Sequence, residues 1–261
     1  YGDKPDEAIV SDNDENVKHL KWITEHYPLT ILSKSVWNRK TASLIVKKQR
    51  VPKIEKLEKA TPSNQFRGTL LDFQREGLDF LLKSSGNALL ADEMGLGKTV
   101  QTLAYLSKEK NAFPALIVAP LVTLTHWQRE IEKFLKKKSK NGKINSKASP
   151  TSTMIRIGKS SDIGNYDFYI INYELLHKRA DDLAKLPIRS IVCDEVQHLR
   201  SKTTQKYAAV KKLAAKESIK YRVGLSGTPI YNRGSEIWPI VDILKPGLLG
   251  NFKEFCEYFC W

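Results

Sequence analysis

Long apolar runs are missing from this 261-residue sequence, since no stretch approaches the roughly 18 residues that a membrane-spanning helix needs. A charged and then apolar leader before a cleavage site is also missing. These absences predict an intracellular protein that does not contact a membrane, cytoplasmic in a prokaryote and nuclear in a eukaryote. The first residue is Tyr1 rather than methionine, so we expect this chain to be a piece of a longer protein.

Cysteine is scarce, with Cys193, Cys256 and Cys260 as the three examples. Three cysteines are too few for a disulfide scaffold, and Cys193 stands in an apolar run where it would act as a small hydrophobe. Cys256 and Cys260 have too few neighbouring ligand residues for a zinc site. We therefore interpret both as ordinary helix residues.

Basic residues outnumber acidic ones, 43 to 29, which gives a formal net charge of +14. The acidic residues dominate residues 3–15, and basic clusters follow at 34–59, 133–147 and 200–222. Such clusters suit a nucleic-acid backbone, because binding releases condensed counterions. A solvated lysine-rich surface is an equally good interpretation of charge alone, so the motifs must decide.

The pattern along the chain predicts three segments. Residues 1–16 lack an apolar period and are predicted to be an acidic, mobile N-terminus, and residues 17–65 form an accessory or linker segment. From residue 66 to 261, short apolar runs alternate with amphipathic helical periods. The predicted strands are Ala88–Ala91, Ala115–Ala119, Met154–Ile157, Phe168–Ile171, Ser190–Cys193 and Tyr221–Leu225. The predicted helices are Leu71–Leu82, Thr99–Lys110, Thr125–Lys137, Glu174–Lys185 and Thr203–Ala215.

Strands buried on both faces and separated by helices predict an α/β fold with a mostly parallel central sheet and right-handed crossovers. Helices would cover both faces of this sheet and make a three-layer sandwich. The segments before residue 66 would add a small N-terminal extension.

A phosphate-binding loop is predicted where the first strand ends. Its residues are Asp92, Glu93, Met94, Gly95, Leu96, Gly97, Lys98 and Thr99. The glycines allow a tight turn that directs backbone N–H groups inward. Lys98 would meet the terminal phosphates of a bound polyphosphate, and the Thr99 hydroxyl would meet a magnesium ion. Asp92 stands where the strict loop pattern has glycine, and a glycine turn that caps an ordinary helix is the alternative.

A pair of carboxylates, Asp194 and Glu195, follows the apolar strand in "SIVCDEVQHL". Loops at the carboxyl ends of parallel strands gather around a ligand. Asp194 would hold magnesium, and Glu195 would polarise the water that attacks the γ-phosphate. Taken alone, the Asp194–Glu195 pair could equally be an acidic cluster at the start of a helix. The phosphate-binding loop upstream makes this alternative the weaker interpretation.

At this point the chain resembles a family. "DEMGLGKT", "DEVQ" and "GLSGTPIYNRGSEIWPIVDILKPGLLG" are similar to motifs I, II and III of helicase superfamily 2, in its Swi/Snf-like branch of double-stranded-DNA translocases and chromatin remodellers. That branch typically has aspartate at the place of Asp92. "FRGTLLDFQREGLDFLL", "IVAPLVTLTHWQREIEKF" and "INYELL" extend the resemblance from Phe66 to near Phe259. It implies a RecA-like first ATPase lobe, with ATP and magnesium as cofactors.

The resemblance also implies roles for polar residues outside the two catalytic motifs. Gln74 would read the adenine edge, and Gln197, in place of a histidine, would bridge the γ-phosphate to motif III. Ser226, Gly227 and Thr228 would couple the nucleotide site to the nucleic-acid track.

The resemblance places four residues, Thr123, Thr125, Asn172 and Tyr173, where the family contacts the DNA backbone. Helix capping is an equal alternative for them. The basic cluster adds Lys136, Lys137 and Lys138 as candidate phosphate contacts.

The sequence therefore predicts the ATP-binding lobe of a motor that couples ATP hydrolysis to translocation on double-stranded DNA, and that displaces DNA-bound proteins. Family members need a second RecA-like lobe, and nothing here resembles it, so this chain alone is expected to be nearly inactive. The alternatives are a strand-separating RNA or DNA helicase, a restriction or repair motor, and a DNA-binding module that uses ATP as a switch without hydrolysis.

Overall fold

The computed structural model describes residues 56–109, 111–138, 144–145, 148–155 and 163–260. The chain divides into two compact units, residues 54–249 and residues 1–53 with 250–261. The predicted segment 1–16 and most of the segment 17–65 lie outside the described residues. The boundaries of these segments and of the domain 66–261 remain predictions.

Strands and helices alternate through residues 54–249. The strands are β1 (Asn87–Leu90), β2 (Ala115–Ala119), β3 (Lys137–Lys138), β4 (Ile144–Asn145), β5 (Ser152–Met154), β6 (Phe168–Asn172), β7 (Ser190–Asp194) and β8 (Tyr221–Leu225). The helices are α1 (Asp72–Lys83), α2 (Lys98–Lys108), α3 (Leu124–Phe134), α4 (Tyr173–Ala184), α5 (Gln205–Ala214) and α6 (Ile237–Leu244). Short 3-10 turns lie at Leu121–Thr123, Val196–Leu199 and Gly234–Glu236.

Six strands form one sheet in the order β1-β8-β7-β2-β6-β5, and every neighbouring pair is parallel. All five residues of β2, which reads ALIVA, are buried. Continuous burial is typical of a strand that is covered on both faces. The two-residue strands β3 and β4 make a separate antiparallel pair.

Two hydrophobic cores lie on opposite faces of the sheet, because successive strand residues point to opposite sides. Leu116 and Val118 of β2 pack with apolar residues of α4, α5 and α6. Ile117 of the same strand packs with apolar residues of α1, α2 and α3. The structure thus confirms the three-layer α/β fold, and the six-stranded sheet is entirely rather than mostly parallel.

Two predicted elements end three residues later than the observed ones, and the other predicted boundaries differ by at most two residues. The strand predicted at Met154–Ile157 lies at Ser152–Met154, because β5 pairs with β6 over Ser152 to Met154, and the prediction followed apolar residues alone. Helix α3 ends at Phe134 rather than Lys137, because Leu135 turns to an extended conformation and pairs with Phe66.

The other unit is described over residues 250–260, where helix α7 (Phe252–Phe259) carries Cys256, with Cys260 directly after it. Asn251 caps this helix, since its side chain accepts a hydrogen bond from Glu254 N at 2.8 Å. Among the described residues of the whole chain, no helix is long and apolar enough to cross a membrane.

Candidate nucleotide-binding site

The predicted motifs follow the carboxyl ends of five neighbouring strands. The phosphate-binding loop follows β1, motif III follows β8, and the Asp194–Glu195 pair ends β7. Of the residues predicted to contact DNA, Thr123 and Thr125 follow β2, Asn172 ends β6 and Tyr173 comes directly after it. Because these strands are parallel, their carboxyl ends lie at one edge of the sheet. The topology therefore brings segments that are far apart in sequence to a single site.

The phosphate-binding loop depends on two glycines with left-handed backbone conformations. Gly95 has φ +84° and Gly97 has φ +74°. Gly97 directly precedes α2, so the unpaired N–H groups of the first turn of α2 face the loop. Lys98 Nζ donates to the carbonyl oxygens of Asp92 at 2.7 Å and Glu93 at 2.9 Å, which holds the ammonium group within the loop.

Two glutamine side chains support this loop from below. Gln74 accepts a hydrogen bond from Leu71 N at 3.0 Å and donates to the carbonyl oxygen of Leu96 at 3.3 Å. Gln101, which is fully buried, donates to Asp92 Oδ2 at 2.9 Å and to the same Leu96 carbonyl at 3.3 Å. Asp92 thus has a structural partner in α2. The sequence analysis gave no role to Gln101, because nothing in the sequence distinguishes it from other polar helix residues. The adenine contact of Gln74 remains a prediction.

Asp194 is held on three sides. Its Oδ2 accepts a hydrogen bond from Trp127 Nε1 at 2.8 Å, and its Oδ1 accepts one from Glu195 N at 3.1 Å. Its main-chain carbonyl oxygen accepts one from the Tyr173 hydroxyl at 2.7 Å. Burial raises the pKa of Asp194 above its ordinary value, whereas the Trp127 hydrogen bond and the Lys98 ammonium group act to lower this pKa. Lys98 of motif I is thus one of the charged groups that act on the carboxylate of Asp194 in motif II.

Glu195 has a backbone conformation that is unusual for a residue with a side chain, with φ 48° and ψ 54°. Such left-handed residues cost free energy and tend to occur at functional sites. Its carboxylate Oε2 accepts a hydrogen bond from Gln197 Nε2 at 2.7 Å. The turn therefore places the Glu195 carboxylate beside Asp194, and the hydrogen bond from Gln197 holds this carboxylate in place.

Motif III is connected to motif II by hydrogen bonds. Gln197 Oε1 accepts from the Ser226 hydroxyl at 2.7 Å, and Ser226 Oγ accepts from Thr228 N at 3.0 Å. Motif III also approaches motif I, because a Cβ atom placed on Gly227 would lie 2.9 Å from Met94 Cγ. Gln197 in place of histidine therefore still joins the carboxylate of Glu195 to motif III.

The middle of the motif III stretch is organised by Glu236, a second residue to which the sequence analysis gave no role. Its carboxylate Oε2 accepts hydrogen bonds from Tyr231 N at 2.7 Å and Asn232 N at 3.1 Å, and Oε1 lies 3.9 Å from Arg200 Nε. The Arg200 guanidinium lies 5.4 Å from the centre of the Tyr231 ring. The Tyr231 hydrogen bond is the main cause that lowers the pKa of Glu236 below its ordinary value.

The residues predicted to bind magnesium fit that ion chemically. Asp194 offers a carboxylate with acceptor positions beyond its two hydrogen bonds, and Thr99 lies half-buried in the first turn of α2. Magnesium takes one or two protein oxygens together with phosphate and water. No cluster of three or more His, Cys, Asp or Glu ligands occurs in the part of the chain that the structure describes.

The predicted DNA contacts have different surroundings. Thr125 is exposed, and Thr123 donates from its hydroxyl to the Pro120 carbonyl oxygen at 3.0 Å. Asn172 caps α4, because its Oδ1 accepts from Leu175 N at 2.7 Å. Tyr173 is fully buried, and its hydroxyl is used by Asp194, so the structure does not support a DNA contact by this side chain. The remaining contacts stay predictions.

The basic clusters are partly accounted for. In the cluster at 200–222, three lysines form ion pairs: Lys206 with Glu174, Lys211 with Asp242 and Lys212 with Asp181. Arg222 donates instead to main-chain carbonyl oxygens and to Asn87 Oδ1. Lys136 Nζ donates to the Asn64 carbonyl oxygen at 3.2 Å, while the side chains of Lys137 and Lys138 lie outside the described residues. The cluster at 200–222 is therefore a weaker candidate for DNA than its charge suggested.

Comparison with known proteins gives a consistent result. The YwqA protein of Bacillus subtilis is 33% identical over 216 residues, which is 77% of this chain and 22% of YwqA. The SWI/SNF chromatin-remodeling complex subunit snf22 of Schizosaccharomyces pombe is 33% identical over 201 residues, which is 74% of this chain and 11% of snf22. The chain thus spans about a tenth to a fifth of the length of these relatives.

A solved structure, the SWI2/SNF2 ATPase core of Sulfolobus solfataricus in complex with double-stranded DNA, superposes with a TM-score of 0.62 at 30% identity. The match covers 76% of this chain and 40% of that one. The family model of the SNF2-related domain matches residues 73–260, most of the present sequence. By its motifs, its fold and these matches, this chain belongs to the SNF2-related domain family.

Proposed function

We propose that this chain is the ATP-binding lobe of a DNA-dependent ATPase, and that the full-length protein couples ATP hydrolysis to translocation along double-stranded DNA. The observation that carries the proposal is the hydrogen-bonded connection from Glu195 through Gln197 to Ser226, beside the phosphate-binding loop. A site for binding alone would not need a carboxylate tied to a second motif. The solved relative with double-stranded DNA supports duplex DNA as the partner.

The residues divide the chemistry between them. The first turn of α2 and the Lys98 ammonium group would bind the phosphates of ATP, and Lys98 would exchange its loop carbonyl contacts for phosphate oxygens. Thr99 and Asp194 would hold magnesium, which supplies positive charge to the phosphates when bound. Glu195 would orient and polarise the attacking water.

The lobe supplies one half of the catalytic site in this proposal. A second RecA-like lobe of the same protein would supply arginines to the γ-phosphate, and such arginines are worth roughly 10³ to 10⁵ in rate. Thr123, Thr125, Asn172 and the lysines at 136–138 would line the DNA track of this lobe. Proteins bound to the DNA would be displaced as the motor moves.

The test uses a protein that extends through the second lobe. Glu195→Gln should bind ATP as the unmodified protein does and lower turnover by at least about a hundredfold, because the neutral amide keeps the hydrogen bond from Gln197 but polarises water poorly. Glu174→Gln, the same change at an exposed residue of α4, is the matched control and should leave turnover unchanged.

Turnover is measured with duplex DNA, single-stranded DNA and RNA. Stimulation by duplex DNA supports the proposal. Stimulation by single strands or RNA alone would favour a strand-separating helicase, and binding of ATP without hydrolysis would favour a nucleotide switch.

A further inference from the structure

Two fully buried aromatic side chains converge on Asp194. The Trp127 indole donates to its carboxylate at 2.8 Å, and the Tyr173 hydroxyl donates to its main-chain carbonyl oxygen at 2.7 Å. One aromatic residue thus fixes the side chain of Asp194, and the other fixes its peptide group.

The chemistry of these donors makes the arrangement specific. An indole N–H can donate but not accept, so Trp127 cannot exchange roles with the carboxylate. The peptide group that Tyr173 holds connects Asp194 to Glu195, the residue with φ 48°. Because a left-handed residue must be held by its surroundings, the Tyr173 hydrogen bond opposes relaxation of the turn that carries both carboxylates.

Neither aromatic residue belongs to motifs I, II or III. Trp127 lies in α3, and Tyr173 is the first residue of α4. From the sequence, Tyr173 was a predicted DNA contact, and Trp127 had no predicted role at the site. The hydrogen bonds show a second use for them.

We infer that Trp127 and Tyr173 are positioning residues that hold Asp194 in the geometry in which it binds magnesium. The inference rests on the proposed role of Asp194 as the metal-binding carboxylate. Groups that orient a metal ligand in this way affect metal affinity by roughly 10- to 100-fold when they are removed. A merely structural role would lower stability without changing how nucleotide binding depends on magnesium.

The chain offers a matched control for Tyr173. Tyr169 is also fully buried, lies four residues earlier in β6, and donates from its hydroxyl to the Gly164 carbonyl oxygen at 2.6 Å. Tyr173→Phe and Tyr169→Phe therefore each remove one buried hydroxyl that bonds to a carbonyl oxygen. Because the two variants lose the same type of hydrogen bond, any difference in their magnesium dependence comes from where the lost bond lies.

The first experiment measures ADP binding by calorimetry on this chain over a range of magnesium concentrations. Tyr173→Phe and Trp127→Phe should each raise the magnesium concentration for half-maximal binding by about tenfold, whereas ADP affinity in excess chelator stays unchanged. Tyr169→Phe should show the unmodified magnesium dependence even if it unfolds at a lower temperature. An unchanged magnesium dependence in both Tyr173→Phe and Trp127→Phe would overturn the inference.

The second experiment measures the unmodified chain and uses a variant only to assign one signal. The chain has five tryptophans, so its nitrogen–proton correlation spectrum contains five indole signals, and the one missing from Trp127→Phe belongs to Trp127. Magnesium with ADP should shift this signal, and ADP with excess chelator should not. Equal responses with and without magnesium would contradict the inference. If the unmodified chain binds no ADP under either condition, the proposed function fails, and the inference fails with it.

Discussion

Gln197 accepts a hydrogen bond from Ser226 at 2.7 Å while its amide nitrogen donates to Glu195 at the same distance. We expect Gln197→Ala and Ser226→Ala each to lower the free energy of unfolding by about 1 kcal/mol, because Ser226 is fully buried. Since both changes remove the same bond, the double variant should lose clearly less than the sum. Urea unfolding of the four proteins measures this.

A distant hydroxyl provides the control for this double-mutant cycle of Gln197 and Ser226. Ser107 lies near the end of α2 and donates to the Ala104 carbonyl oxygen. The effects of Ser107→Ala and Gln197→Ala should add. Additive effects for Gln197 and Ser226 as well would show that the bond contributes nothing to stability.

The two loop glycines should respond differently to alanine. Both have positive φ, so Gly95→Ala and Gly97→Ala share a conformational cost of about 1 kcal/mol. A Cβ atom on Gly97 would lie 2.6 Å from Gln74 Nε2, whereas a Cβ atom on Gly95 would have no neighbour within 4 Å. Gly97→Ala should therefore be the more destabilising change and should weaken ATP binding more. Thermal unfolding and nucleotide titration of both variants provide the measurement, and equal losses would contradict a supporting role for Gln74.

Lysines 136–138 should contribute to DNA binding through phosphate contacts. Replacing all three with alanine should weaken binding to duplex DNA and reduce the dependence of affinity on salt, since fewer counterions are released. Replacing Lys206, Lys211 and Lys212 removes the same charge, but these three are already paired with carboxylates. This second triple variant should change the salt dependence less. If this second triple variant changed the salt dependence more than the first, the DNA contact would instead lie on the surface of α5.

Glu236 should make stability depend on pH. Its pKa is lowered mainly by the Tyr231 hydrogen bond, so its contribution is present above the ordinary value of 4.5 and is lost as pH falls through the lowered pKa. Glu236→Gln keeps the shape and the acceptor oxygen but removes the charge. Thermal unfolding from about pH 7 to about pH 3 should show a lower stability of Glu236→Gln at neutral pH, and this difference should disappear in acid. A difference that stays constant would mean that the charge is not involved.

The sequence predicted much of the fold because its signals were strong. The apolar strands are buried on both faces, as in β2, and the helical periods between them are regular. Asp194 and Glu195 could be placed beside Lys98 because parallel strands collect their carboxyl ends at one edge. The element boundaries were less accurate, since Leu135 leaves the helix through a tertiary pairing with Phe66 that no local pattern records.

The supporting residues of the site could not be predicted for a physical reason. Trp127, Tyr173 and Gln101 lie on helix faces that the core would bury in any case. The hydrogen bonds from Trp127 and Tyr173 to Asp194, and from Gln101 to Asp92, depend on how segments that are distant in sequence meet in the fold. Periodicity indicates that such side chains are buried, and it does not indicate what their polar atoms contact.

The position of β1 at an edge of the described sheet affects how the protein is made. Its strand neighbour there is β8, and Ser226 N donates to the Leu90 carbonyl oxygen directly before the phosphate-binding loop. During synthesis the loop leaves the ribosome well before β8, which is the last strand of the described sheet to emerge. A nascent chain should therefore gain affinity for nucleotide only when β8 has joined the sheet, and nucleotide capture can be used to time that event.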